Sequence, residues 1–213
     1  MSLQGLLDRA GNKIELPYLG LSFRKFGYQV FHDGEFASVD EFCKKLESLY
    51  GRIRGLSKYT GLEESNGTMG LCAAVKEGLP SKVNIHIVMF PYKGIPAELG
   101  NQFRINTLGH EETHALFEME EFPRLATEMD EFIKPSNSTV RDLICRFLSL
   151  PDGEEYVCDF GGFYAVARSM DLSPDALKRG LIRYYSSLSE RIKKPKVNRI
   201  DLTLEVLAEM GIK

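Results

Sequence analysis

His110-Glu111-Glu112-Thr113-His114 places two of the chain's four histidines four residues apart, in a run (101–119) that no proline interrupts. On a helix, positions i and i+4 stack on one face, so both imidazoles point toward one place. Glu111 falls about 100° round the helix from His110, beside that place rather than on it. Two imidazoles with a carboxylate alongside suit a divalent cation, and the carboxylate can take a proton from a water held there. The motif therefore demands a helix over 101–119, with Asn101 as its N-cap.

A helical projection of this run separates two sides. Phe103, Thr107, His110, His114 and Phe117 share one; Ile105, Leu108, Ala115, Leu116 and Met119 share the other. A helix apolar on both sides of its ligands is a buried helix. Glu112 disagrees, because it projects into the middle of the second apolar side. A buried carboxylate without a partner is costly, so Glu112 is expected to meet a cation, Arg124 or Arg104, or a wet environment.

Two histidines do not complete a catalytic zinc site; a third protein ligand is needed, with water in the fourth place. The downstream carboxylates are Glu118, Glu120, Glu121, Glu128, Asp130, Glu131, Glu154 and Glu155. Glu155 is favoured, because Glu155-Tyr156-Val157-Cys158-Asp159 is an ExxxD pair at helical spacing. In such a pair the Glu can bind metal while Asp159, one turn on, orients a ligand histidine through its other N–H. Glu131, on a shorter return loop, is the alternative.

The rest of the chain reads as strands first and helices after, an α+β pattern. Residues 13–36 suggest short strands and turns, and Ser38 with Glu41 caps a helix to about Leu49. A strand is expected within 70–75. The run 83–90, β-branched and bounded by prolines, is the best strand in the sequence, with Val83, Ile85, Ile87 and Met89 on one face. His86 within it is given no role. Helices are expected over 124–132, 140–148, 154–169, 174–188 and 202–210, and loops at 134–138 and at the basic run 191–196. This is one domain, strand-rich over 1–100 and helical over 101–213, in which 171–213 is a candidate small helical subdomain.

Composition narrows the partners. The 213 residues are 43% hydrophobic and 27% charged, ordinary for a globular protein, and the net charge of −3 argues against nucleic acid as a partner. No apolar run is long enough to cross a bilayer, and the N-terminus lacks the regions of a signal peptide, so a cytoplasmic protein without a membrane partner is expected. The four cysteines (Cys43, Cys72, Cys145, Cys158) form no CxxC pair and read as reduced and mostly buried.

Residues 109–116, Gly-His-Glu-Glu-Thr-His-Ala-Leu, resemble the active-site helix of gluzincin-type zincin metallopeptidases. The segment 155–165 is similar to the E-x-x-[AC]-[ND]-x-x-[AF] helix of ImmA/IrrE-type peptidases, small cytoplasmic enzymes that cut regulatory proteins. The sequence departs from the pattern at Glu112, usually an apolar position, and in the gap of about forty residues between His114 and Glu155. No helix-turn-helix module is evident.

The resemblance implies a zincin-like fold: a small twisted mixed sheet, the HExxH helix below a cleft, and a helical C-terminal half. It implies Zn2+ as cofactor, a peptide or protein substrate, and the strand 83–90 as the edge strand above the metal, open to an added peptide. It also implies an oxyanion-stabilising residue, for which Tyr156, Tyr164, Tyr184 and Tyr185 are candidates. Two other functions fit the same residues: a catalytically weak or inactive zincin-fold module that senses or binds a regulatory partner, and a hydrolase of a non-peptide amide.

Overall fold

The computed structural model describes residues 11–51, 69–78, 82–91, 95–133, 140–150, 153–191 and 199–212. The chain is α+β and divides into two compact units. One comprises the residues up to 17 and 21–94; the other comprises 18–20 and everything from 95 onward.

The first unit carries the strands. β1 (Asn12–Leu16) and β2 (Leu21–Lys25) form an antiparallel ribbon. β3 (Tyr28–Glu35), β4 (Gly70–Glu77) and β5 (Lys82–Met89) form a three-stranded sheet in the order β3-β5-β4, with β3 parallel and β4 antiparallel to β5. The strand expected at the edge is thus the central one. Its backbone is paired on both sides, which leaves no free edge for a peptide. Every residue of β5 after Lys82 is buried, so both of its faces are covered. Asn84 and His86, which alternate with its apolar residues, are buried with them.

α1 (Val39–Tyr50) begins as its sequence requires. Glu41 N–H donates to Ser38 Oγ at 3.2 Å, and Glu41 Oε2 accepts from the Ala37 N–H at 2.8 Å. It packs Phe42, Cys43 and Leu46 against Ala73, Val75, Val88 and Phe90 of the sheet region. A polar network sits beside this core. Asp33 accepts from His86 Nδ1 at 2.5 Å and from Lys45 Nζ at 2.8 Å, while the Tyr50 hydroxyl lies 2.7 Å from His86 Nε2. Phe31 stacks on the imidazole, so His86 is a packed histidine with both ring nitrogens engaged.

The second unit carries the remaining helices: α2 (Gly100–Glu118), α3 (Phe122–Ile133), α4 (Val140–Leu148), α5 (Gly153–Ser169), α6 (Pro174–Arg191) and α7 (Arg199–Glu209). α2 starts one residue before the expected cap, directly after a 3-10 turn at Ala97–Leu99, so Asn101 is inside the helix and no side chain caps it. Pro123 occupies the first turn of α3, where its missing N–H costs nothing. Ser173 caps α6 by accepting from Ala176 N–H at 3.3 Å. α2 and α5 pack along one another, and α6 packs on both α5 and α7.

Among the described residues, no helix is long and apolar enough to cross a membrane. All four cysteines are free, but only Cys43 and Cys158 are buried; Cys145 is exposed, against the expectation that most are enclosed. The loop 134–138 and the basic residues 192–196 lie outside the described residues.

Candidate metal centre

α2 is buried over almost the whole motif: Phe103, the unbroken run 106–113, Ala115 and Leu116 are enclosed, and His114 is partly open. The histidines stack as the four-residue spacing dictates, with their Nε2 atoms 3.2 Å apart. Glu155 of α5 completes the group: Oε1 is 3.2 Å from His114 Nε2, and Oε2 is 3.5 Å from His110 Nε2. Donors held about 2.0–2.1 Å from one tetrahedral ion stand about 3.3 Å from each other. The Nε2–Nε2 and His114 Nε2–Oε1 separations therefore suit a shared divalent cation, with the second Glu155 oxygen turned to His110. Glu111 lies beside them, its carboxylate within 4.8 Å of both imidazoles.

Each histidine has its own carboxylate behind it. His110 Nδ1 is 2.9 Å from Asp159 Oδ1, the partner that the ExxxD spacing suggests. His114 Nδ1 is 2.9 Å from Glu154 Oε1. Holding the Nδ1 proton fixes the tautomer and leaves Nε2 as the donor to metal. Sequence reasoning missed this role of Glu154. The available signal was its place immediately before Glu155 in the first turn of a helix, about 100° round from it. The alternative third ligand, Glu131, is on the exposed side of α3.

The group is electrostatically coupled. The imidazoles of His110 and His114 hold the Glu155 carboxyl well below its ordinary range, against the opposing effect of burial. Burial disfavours charge on His114, but Cys158, Glu154 and Glu155 outweigh it and raise its pKa. Metal binding must displace such protons, so affinity rises with pH. Cys158 is within 4.8 Å of His114 and Glu154, but burial pushes its thiol up to about 12.

Missing side chains bring the two helices together. A Cβ on Gly161 would fall 1.9 Å from Thr113 Oγ1; one on Gly109 would fall 2.5 Å from the Ala165 Cβ; one on Gly162, 2.6 Å from the Asn106 carbonyl oxygen. Glycine at these three positions lets the α2 and α5 backbones approach closely, with Asp159 within one turn and Glu155 about two turns from Gly161 and Gly162. Thr113 is itself held, donating to Gly109 O at 2.7 Å.

Glu112 is fully buried, as its projection indicated, and two backbone N–H groups donate to it. Leu19 N–H donates to Oε2 at 2.8 Å and Tyr18 N–H to Oε1 at 3.4 Å. Arg124, one expected partner, pairs with Glu121, Nε to Oε2 at 2.5 Å. Of the candidate tyrosines, Tyr164 and Tyr184 are buried, and the Tyr184 hydroxyl donates to Asp159 Oδ2. Tyr156 and Tyr185 are partly exposed, with their rings against Phe147.

No protein-family model, no curated protein and no solved structure matches the chain.

Proposed function

We propose that the protein is a zinc-dependent peptidase of zincin type, with His110, His114 and Glu155 as metal ligands and Glu111 as general base. The observation that carries this reading is the convergence of three donors at 3.2, 3.2 and 3.5 Å, with Glu111 alongside. Zinc, when bound, lowers the pKa of a water toward about 7 and polarises a carbonyl. Glu111 then accepts the water proton and passes it to the leaving amine. Asp159 and Glu154 keep both imidazoles in the ligating tautomer throughout. The choice of a peptide substrate rests on the resemblance of 109–116 and 155–165 to the peptidase helices; the metal site rests on geometry.

The test is Glu111→Gln. The variant is expected to bind one zinc per chain and to lose about 10²–10⁴-fold in peptide cleavage, the usual contribution of a positioned general base. A peptide-library screen with a chelator control supplies the substrate. Full cleavage by zinc-loaded Glu111→Gln removes the mechanism. A zinc-loaded wild type that cleaves nothing removes the enzymatic reading and favours a binding module on the same site.

A further inference from the structure

Tyr184 stands behind the site in a way that neither the metal ligands nor the general base requires. It belongs to α6, a helix that contributes no ligand, and its ring is enclosed against Phe147, Phe160 and Phe163. Its hydroxyl donates to Asp159 Oδ2, and Asp159 Oδ1 in turn faces His110 Nδ1 at 2.9 Å. A lone carboxylate on an imidazole can still swing about its χ2 torsion, a broad and soft one. With its second oxygen pinned from another helix, the carboxylate plane is fixed, and with it the plane of the imidazole it holds.

The two histidines differ in this respect. Glu154, the partner of His114, is 53% exposed, a long side chain in water. Asp159 is 16% exposed and anchored to a buried phenol. One ligand is therefore set rigidly from the core of the helical unit and the other is held from the solvent side.

We propose that Tyr184 is a positioning residue for the metal: through Asp159 it orients His110, and so sets the affinity of the site for a divalent cation. The proposal rests on the reading of His110, His114 and Glu155 as the ligands. Partners of this kind behind a ligand histidine are worth about 10–100-fold in metal affinity, and one bond further out the effect falls to the lower end of that range.

The experiment uses the full chain, zinc alone as the probe, and competition against a chromophoric chelator. Tyr184→Phe keeps the ring and removes only the hydroxyl. It is expected to weaken zinc binding about tenfold, and this loss is expected to vanish when the same change is made on an Asp159→Ala background. Apo melting temperatures are recorded for all four proteins. A purely packing role lowers the apo melting temperature and leaves zinc affinity where it was; that result overturns the proposal alone. So does a loss of affinity that persists in full without Asp159, because Tyr184 would then not act through it. A wild type that binds no zinc overturns the ligand set, and the proposal with it.

Discussion

Glu112 and Glu155 are carboxylates on two facing helices, and their different surroundings give them different tasks. Glu155 meets two imidazoles and is open enough to accept a cation between them. Glu112 is sealed away from water and spends its charge on the N–H groups of Tyr18 and Leu19. Spacing alone announced the first, because ExxxD and HExxH are both local patterns. The second was legible only as a demand for a partner. The residues that answer it lie 94 and 93 positions away, and no local pattern in the sequence links them to the motif. The physical cost is nevertheless specific. Glu112→Ala removes the acceptor of the buried Leu19 N–H and is expected to lose about 1–3 kcal/mol. Glu112→Gln keeps a carbonyl oxygen in place and is expected to lose less than half as much. Urea denaturation of the two variants checks this, and equal losses would show that the backbone amides are not what Glu112 serves.

At the scale of elements, the helices were more legible than the sheet. Caps and periodicity are properties of one segment, so the helix that carries HExxH and the one that carries ExxxD both formed near their expected bounds. Strand neighbours are a property of pairs of segments. The run 83–90 announced a strand but not that β3 and β4 would flank it, nor that Asn84 and His86, which alternate with its apolar face, would be buried too. The close contact of α2 and α5 had a visible trace as well: the consecutive Gly161 and Gly162 inside a helical stretch, a costly choice unless space is short.

That trace can be tested. Gly161→Ala gains up to about 1 kcal/mol of helix propensity. Against this, its Cβ would fall 1.9 Å from a Thr113 hydroxyl that is already held by Gly109 O. Overpacking of this kind costs about 1–3 kcal/mol, so a net loss is expected. Spreading the helices also separates Glu155 from the histidines, so zinc affinity should fall in the same variant. Gly100→Ala is the control, since nothing lies within 4 Å of its added Cβ and the helix gain stands alone. If Gly161→Ala melts higher than wild type, as the control should, close backbone approach is not what the glycine provides.

On the scale of the whole molecule, each unit keeps a buried histidine–carboxylate group: His110 with Asp159 in the helical unit, His86 with Asp33 in the strand unit. Among the described residues, candidate metal donors converge on the first and not on the second; in the second, Tyr50 and Lys45 meet the other polar atoms, which makes it a structural tie between α1 and the sheet. The tie should show in acid. Burial tends to raise the Asp33 carboxyl, but the hydrogen bonds from His86 and Lys45 outweigh it, so its pKa lies below the ordinary 3.8. A carboxyl depressed on folding contributes stability above its unfolded value, and that contribution is lost as pH falls through the folded value. Asp33→Asn is therefore expected to be less stable than wild type at pH 7 by about 1 kcal/mol, a modest figure because Lys45 is partly in water. As the pH is taken below 3.8 the wild-type advantage should close, because protonated Asp33 is then little different from Asn. Urea midpoints of both proteins, followed from pH 7 downward in chelator so that metal bound by the helical unit does not intervene, measure the difference directly. A gap that stays constant down the series would mean that Asp33 acts through shape rather than charge, and that the tie is packing alone.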